Sequence, residues 1–196
     1  MQIKAPIPVS CLQGRSASPL VEAYFEFNHL KQLYRQGWLR RGVPLARCES
    51  VADHAFGVAV LALFLADAYL PGLDASRVVR MALLHEFGEI YAGDLIPADG
   101  VSPGEKHQLE ERSVIRVLEK LPRGASYIAL WEEYERGESP EAQLVRQVDR
   151  LEMALQASVY EYQGLVDMSE FLASAGQAVS IPQLRALLAE LLALRA

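Results

Sequence analysis

Three serine-proline pairs mark helix starts and constrain the fold of this chain more than any other feature. In Ser18-Pro19, Ser102-Pro103 and Ser139-Pro140, the serine hydroxyl suits the N-cap and the proline suits the first helical position. Ile181-Pro182 introduces a leucine-rich amphipathic segment near the C-terminal end. No segment shows sustained alternation of apolar and polar residues, the pattern of a half-buried strand. The sequence therefore predicts an all-α fold with about seven to eight helices.

The predicted helix boundaries follow from caps, prolines and glycines. The segment Ser50-Val51-Ala52-Asp53 is a capping box, with serine at the N-cap and an acid three residues later. Pro71-Gly72 ends the helix that begins there, and Asp74 caps the next one. The predicted helices cover about 19–34, 50–68, 74–88, 102–121, 125–134, 139 onward and 181 onward. Residues 1–17 are predicted to form an irregular arm, and residues 18–196 a single domain.

Composition and charge limit the classes of function. The formal net charge of −6 argues against sequence-independent binding of nucleic-acid polymers, which requires a basic surface. Two cysteines, Cys11 and Cys48, are too few for a disulfide framework and favour a reducing, cytoplasmic setting. Residues 1–8 lack the apolar stretch of a signal peptide. The apolar run 55–70 is short and contains Asp67, which predicts a core helix rather than a membrane span.

The stretch 83–89 places polar groups inside a predicted apolar helix. It contains the His85-Glu86 doublet, and an imidazole or carboxylate is costly to bury unless it is paired or bound to a metal. His54, near the start of the preceding helix, and Asp149, on a later helix, complete a set of two imidazoles and two carboxylates. Such a set suits a divalent transition metal, and four protein ligands leave positions open for water or substrate.

Helix packing predicts that these residues meet. His54 lies near the start of its helix and His85 near the end of the next, and a short connection usually makes such helices antiparallel. Each of these residues also has an explanation that does not involve a metal. A lone histidine is more often a hydrogen-bonded core or surface residue, and Asp149 could pair with a nearby arginine. On spacing alone, a metal site and a set of unrelated polar residues are equally open.

A loop bracketed by Gly37 and Gly42 comes shortly before His54 in the sequence. It contains one large aromatic residue, Trp38, and two arginines, one of which is Arg41. One interpretation is a surface loop whose tryptophan is anchored in the core. The other is a substrate-binding loop, and the position of the loop just before the first candidate ligand weighs in favour of this second interpretation.

Seven motifs occur together in a fixed order, at 37–43, 49–54, 82–86, 93–99, 105–107, 130–135 and 147–153. In this order they resemble the HD-domain metal-dependent phosphohydrolases, a family with a single helical-bundle domain. The closer resemblance is to the 5′-deoxynucleotidase branch, whose members remove phosphate from deoxynucleoside monophosphates. The resemblance covers about residues 25–162 and leaves out the N-terminal arm and the helix after residue 181.

The resemblance implies a divalent-metal site. It assigns His54, His85, Glu86 and Asp149 as the metal ligands, with Mn, Co or Mg as the expected ion. It assigns Glu89 as a catalytic acid or base beside the metal, or as a ligand of a second ion. One position departs from the family pattern, because the doublet that names the family is His-Asp and this chain has glutamate at position 86. Glutamate is one methylene longer than aspartate, so its carboxylate lies farther from the backbone.

The resemblance also implies a substrate site. Asp94, with the adjacent Leu95, corresponds to the position that holds substrate or a second ion in the family. Trp38 corresponds to the aromatic residue that closes over the sugar and favours the 2′-deoxy form, and Arg41 to a basic residue near the phosphate. The implied substrate is a small nucleotide, and the implied assembly is a homodimer. Neither a nucleic-acid polymer nor a membrane is an expected partner.

Two other functions stay open at this stage. One is a different HD-domain phosphohydrolase, which acts on nucleoside triphosphates, pyrophosphates or phosphodiesters and is distinguished by its products. The other is a non-catalytic helical binding module whose ion is structural or absent, and the glutamate at position 86 gives this reading some weight. Glu89 and Asp94 argue against it, because a structural metal site does not require additional acids nearby.

Overall fold

The computed structural model describes residues 1–165 and 167–194. Its helices are α1 (Pro19–Phe27), α2 (Gln36–Arg40), α3 (Val51–Tyr69), α4 (Ala75–Leu84), α5 (Glu89–Ala92), α6 (Pro103–Leu118), α7 (Gly124–Arg136), α8 (Pro140–Tyr162), α9 (Ser169–Ala178) and α10 (Pro182–Ala193). Within the described residues there is no β-strand, and all the helices except α2 and α5 have nine residues or more. The all-α prediction is therefore confirmed.

Capping explains where several helices begin. The Ser50 hydroxyl accepts a hydrogen bond from the Asp53 amide at 3.2 Å, and the Asp53 carboxylate accepts one from the Ser50 amide at 2.8 Å. Ser102 and Glu105 make the same reciprocal pair at the start of α6. The Ser139 hydroxyl caps the start of α8. The predicted starts of these three helices are confirmed, and each one satisfies backbone amides that a helix leaves open.

The first helix ends earlier than its sequence predicts. The prediction extends it to about residue 34, but α1 stops seven residues sooner and a 3₁₀ turn, Asn28–Lys31, follows it. The chain then becomes extended, because two antiparallel bridges join Ile3 to Leu33 and Tyr34 to Ser50. The extended segment thus lies between the N-terminal arm and the residues that lead into α3.

The C-terminal third also contains a helix that the sequence reasoning did not predict. Gly176 lies inside this helix, α9, where Leu172 and Ala175 are buried. The last predicted helix corresponds to α10, and its predicted continuation includes residues 195 and 196, which lie outside the described residues.

The helices group into two compact units. Unit 1 contains residues 1–55 and 84–132, and unit 2 contains residues 56–83 and 133–196. In unit 1, α5 packs on α6. The core of this unit is built from apolar side chains that lie far apart in the sequence, namely Ala23, Leu30, Leu33, Val51, Ile90, Val114, Val117, Leu118 and Trp131. This core supports the segment that follows His85.

Unit 2 is organised around α8, which packs on α9 and α10. One face of this helix is apolar, and its side chains Leu144, Val148 and Leu151 are fully buried. Arg77 of α4 donates two hydrogen bonds to the Glu133 carboxylate, from Nε to Oε1 at 3.2 Å and from Nη2 to Oε2. Because its buried face anchors α8, the residues on the other faces of this helix have fixed positions within unit 2.

In the described part of the chain, α3 is long and apolar enough to cross a membrane by length and composition alone. Its side chains Val58, Ala62 and Leu65 are buried inside the protein. A buried core helix meets the same criterion, so this burial agrees with the prediction of a core helix.

Candidate metal centre

The His85-Glu86 doublet lies in a tight turn and not inside a helix. α4 ends one residue before it, and a hydrogen bond of 3.0 Å from the Glu89 amide to the carbonyl oxygen of the doublet's glutamate closes the turn. The prediction of a continuous helix to residue 88 is therefore wrong. Tertiary packing holds the turn, because a Cβ at Gly88 would lie only 2.6 Å from Cβ of Glu110 on α6.

Three of the predicted ligands converge within unit 1. The Nε2 atoms of His54 and His85 lie 3.4 and 3.5 Å from Oε1 of Glu86. The two imidazole rings are 5.6 Å apart between centroids, and both histidines are buried. One carboxylate oxygen therefore faces two imidazole nitrogens, as the meeting of the two helix ends predicts.

Arg35 belongs to this cluster, and the sequence reasoning missed it. Its Nη1 donates to Oε1 of Glu86 at 3.1 Å and to Oδ1 of Asp94 at 3.4 Å. The same atom lies 4.0 Å from Oε1 of Glu89. The guanidinium thus balances the charge of three acids that would be costly to bury alone. The sequence did contain a hint of this role, since Arg35 lies two residues before the Gly37-Trp38 motif. The arginines considered as phosphate contacts lie after that motif.

The two neighbouring glutamates have pKa values shifted in opposite directions. Burial raises the pKa of Glu89 well above its usual range, and the negative charges of Glu86 and Asp94 raise it further. Burial also opposes ionisation of Glu86, but the positive charges of His85 and Arg35 outweigh it and hold the pKa of Glu86 well below its usual range. Separated pKa values allow one carboxyl to serve as an anion and the other to carry a proton.

Several contacts hold α5, the short helix that begins at Glu89. The buried Ser113 hydroxyl donates to the carbonyl oxygen of Phe87 at 3.0 Å and accepts from the Tyr91 amide at 3.1 Å. Nδ1 of His29 lies 2.6 Å from a carbonyl oxygen of the same helix. These bonds engage backbone groups that so short a helix leaves open. Glu89 consequently rests on a rigid support, which a proton-transferring side chain requires.

Asp94 is held in a loop with defined contacts. Its carboxylate is buried and accepts a short hydrogen bond from the Gln36 amide. Gly93 adopts a positive φ of 81°, which favours glycine and turns the chain into this loop. Nζ of Lys106 donates to the carbonyl oxygen of Leu95 at 3.1 Å. Asp94, for which the resemblance predicts binding of substrate or a second ion, therefore lies beside Arg35 and close to Glu89.

Trp38 and Arg41 have different environments. Trp38 is 2% exposed, and its indole N–H donates to Oε1 of Glu49 at 2.6 Å. It lies on α2, which occupies part of the predicted loop. Arg41 follows this helix and is exposed. The anchored indole fits the interpretation of a core residue, while contact of Trp38 with a sugar and of Arg41 with a phosphate stay predictions.

Asp149, the fourth predicted ligand, lies on α8 in unit 2. Its side chain is half-buried, and its Oδ2 lies 3.8 Å from Nε of Arg150, the kind of pairing that was the alternative to metal binding. It lines a small polar cavity of about 270 Å³ together with Tyr134, Arg146 and Gln147. Its role as a metal ligand stays a prediction.

The residues of unit 1 fit a divalent cation. The Nε2 atoms of two imidazoles, His54 and His85, lie within 3.5 Å of one carboxylate oxygen, Oε1 of Glu86. Oε2 of Glu89 is buried and makes no hydrogen bond to any residue that the structure describes. Mixed imidazole and carboxylate donors suit Mn, Co, Ni, Fe or Zn, whereas Mg prefers oxygen ligands. The donor chemistry therefore supports a divalent metal without selecting one.

Comparison with known proteins agrees with this chemistry. The family model described as HD domain matches residues 27–185. The chain is 41% identical to the 5′-deoxynucleotidase HDDC2 of Bos taurus, over 79% of this chain and 74% of that protein. It is 32% identical to the 5′-deoxynucleotidase hdd1 of Schizosaccharomyces pombe, over 84% of each chain. A crystal structure from Magnetospirillum magnetotacticum, named a predicted metal-dependent phosphohydrolase, has a TM-score of 0.66 and 27% identity over 89% of both chains.

Proposed function

The chain belongs to the HD-domain family, and we propose that it is a metal-dependent phosphohydrolase that removes the 5′-phosphate from deoxynucleoside monophosphates. The products are a nucleoside and inorganic phosphate. The observation that supports this most strongly is the convergence of His54, His85 and Glu86 beside Glu89, a buried carboxyl whose pKa is raised. The relatives that share most of the chain are named 5′-deoxynucleotidases, and this name supplies the substrate class.

We propose that His54, His85, Glu86 and Asp149 hold one divalent ion, with Mn, Co or Mg as the candidates. When bound, such an ion supplies Lewis-acid stabilisation of phosphoryl charge and lowers the pKa of a water molecule. Asp149 joins this set through the sequence resemblance. Glu89, Asp94 and Leu95 are the proposed position for a second ion or for the substrate.

Hydrolysis breaks the bond between phosphorus and the 5′ oxygen and forms a bond between phosphorus and a water oxygen, and one proton passes to the leaving oxygen. Glu89 is the proposed carrier of this proton, because burial and the nearby carboxylates raise its pKa well above its usual range and so favour the protonated carboxyl. Arg35 is the proposed phosphate contact, since its planar guanidinium already lies among the site acids. Arg41 is a second candidate for that contact, and Trp38 for the sugar.

A screen of nucleoside monophosphates tests this function. We expect phosphate release from dAMP, dTMP and dUMP with Mn or Co, and none after chelation. We expect the deoxy form to be preferred only partially, by about 1–3 kcal/mol, because exclusion of a 2′-hydroxyl by bulk discriminates weakly. Equal rates on dAMP and AMP would remove the role proposed for Trp38. Pyrophosphate or tripolyphosphate released from triphosphates would favour a different HD-domain phosphohydrolase.

We also propose a homodimer whose contact surface is an apolar groove in unit 2. The groove has a volume of about 890 Å³ and lies between α3, α8 and α10. Phe56, Phe64 and Tyr162 line it and are 68%, 62% and 94% exposed. A contiguous apolar surface of this kind is uncommon on a monomer. A second copy is the proposed occupant, because a two-fold axis lets one groove bind the same groove of a partner.

Sedimentation equilibrium tests the dimer. The double variant Phe64→Glu with Tyr162→Glu places two charges in the groove, and we expect it to sediment as a monomer at concentrations where the parent chain is a dimer. Leu20→Glu is the matched control, since Leu20 is equally exposed at 69% but lies in unit 1. A parent chain that sediments as a monomer, or a control that dissociates equally, would contradict the proposal.

We place the protein in the cytoplasm. Cys11 is exposed and Cys48 buried, and both are free. Burial, together with the charge of Glu49, raises the pKa of the Cys48 thiol to about 12, which keeps it protonated and unreactive. Free cysteines of this kind are typical of reducing compartments.

A further inference from the structure

The N-terminal arm lies outside the segment that matches the family, yet its first residues lie next to the acids of unit 1. Ile3 forms an antiparallel bridge with Leu33, and the Lys4 amide donates to the carbonyl oxygen of Gln32 at 2.7 Å. Residues 1–4 therefore run antiparallel to the extended segment that leads into Arg35. This arrangement places residues from outside the family match next to the segment that carries the arginine of the cluster.

Gln36 joins residues 1–4 to Asp94. Its Oε1 accepts from the Gln2 amide at 2.9 Å, and its Nε2 donates to the carbonyl oxygens of Gln2 and Tyr34, each at 2.8 Å. Its own backbone amide donates to the Asp94 carboxylate. Gln36 is 8% exposed, so water competes little for these bonds. Gln36 thus contacts the arm through its side chain and Asp94 through its backbone amide.

A second contact connects the arm to the same loop. The Met1 side chain packs on Gly93, so closely that a Cβ at Gly93 would collide with the thioether. From another side, Lys106 holds the loop through the carbonyl oxygen of Leu95. The loop of Asp94 is therefore fixed by α6 and also by residues 1–4 and Gln36.

We infer that residues 1–4 are a positioning segment of the active site and that Gln36 transmits their docking to Asp94. The inference rests on the proposed function, in which Asp94 holds the substrate or a second ion. A backbone shift at Gln36 would move both the donor to Asp94 and the adjacent Arg35. Because Asp94 and Arg35 are the proposed substrate contacts, loss of the docked segment weakens substrate binding without removing the proton-transferring group.

Two variants and one matched control in the full chain test the inference. Gln2→Pro removes the amide that donates to Gln36, and Gln36→Leu removes the side-chain amide while it keeps the backbone donor to Asp94. Gln2→Ala is the control, because Gln2 is exposed and alanine keeps both backbone groups. We expect KM for dAMP to rise about threefold to tenfold in the first two variants, with kcat changed less than about twofold and the control like the parent.

Hydrogen exchange supplies a readout that does not depend on activity. We expect the amides of residues 93–95 to exchange at least about tenfold faster in Gln2→Pro and Gln36→Leu than in Gln2→Ala, with the midpoint of thermal unfolding unchanged. Parental KM and parental exchange in both variants would overturn the inference. If the parent chain hydrolyses no nucleotide, the proposed function fails, and the exchange of residues 93–95 still decides whether the arm positions the loop.

Discussion

Replacement of Glu89 by glutamine is expected to lower kcat on a deoxynucleoside monophosphate by about 10²- to 10⁴-fold, the range associated with loss of a proton-transferring group. Glutamine keeps the shape of the side chain and its position at the start of α5, but it cannot exchange a proton. Glu89 is 3% exposed and lies 4.0 Å from Nη1 of Arg35, so the neutral amide fits the same surroundings. The effect therefore reports chemistry and not misfolding.

The metal-free Glu89→Gln protein should gain stability relative to the parent as pH rises above the usual range of a glutamate carboxyl. The pKa of Glu89 is raised in the folded state, so its contribution to stability is fully present at low pH and is lost as pH rises toward the folded value. Glutamine does not ionise, so the variant does not lose stability in this way as pH rises. Thermal unfolding at pH 6 and pH 9 measures the difference.

Steady-state rates with each candidate metal, together with the metal content of the purified protein, measure the catalytic loss in Glu89→Gln. Glu119→Gln is the matched control, because Glu119 is exposed at the end of α6 and its substitution should leave kcat within about twofold of the parent. A Glu89→Gln protein that keeps more than a tenth of the parental kcat, with parental metal content, would remove Glu89 from the proton-transfer role.

The parts of the fold that depend on local sequence were predictable. The capping box at Ser50 and the one at Ser102 specify helix starts through bonds within four residues, and both are present. The turn at Gly88 was not predictable, because its cause is close packing against Glu110, more than twenty residues away. The early end of α1 has a similar cause, since Leu33 pairs with the arm. Local propensity gives no information on such distant partners.

The same distinction applies to the site. His54 and the His85-Glu86 doublet stood out because buried polar groups in apolar helices require an explanation, and the structure brings them together. Arg35 did not stand out, because an arginine in a polar loop is ordinary until its neighbours are known. Its importance comes from its hydrogen bond to the carboxylate of Asp94, a residue that lies almost sixty positions away in the sequence.

Glu86 is the residue at which this chain leaves the family pattern, and its replacement by glutamine is expected to lower metal affinity by about 10²-fold or more. Its Oε1 lies 3.1 Å from Nη1 of Arg35 and within 3.5 Å of both imidazoles. Loss of one partner from a buried ion pair typically costs about 3–5 kcal/mol, since the remaining charge is left uncompensated. Metal binding loses an anionic ligand in addition. Calorimetric titration with Mn or Co measures the affinity directly.

Glu86→Asp is the informative control, because it restores the His-Asp doublet and shortens the side chain by one methylene. We expect it to bind metal within about tenfold of the parent, since aspartate keeps the charge and a small shift of the ion can recover the contact. Asp149→Ala belongs in the same titration, and unchanged metal content would remove Asp149 from the ligand set. If Glu86→Gln binds metal as tightly as Glu86→Asp, the carboxylate at position 86 serves Arg35 and not the ion, and the departure from the family pattern would then mark a changed ligand.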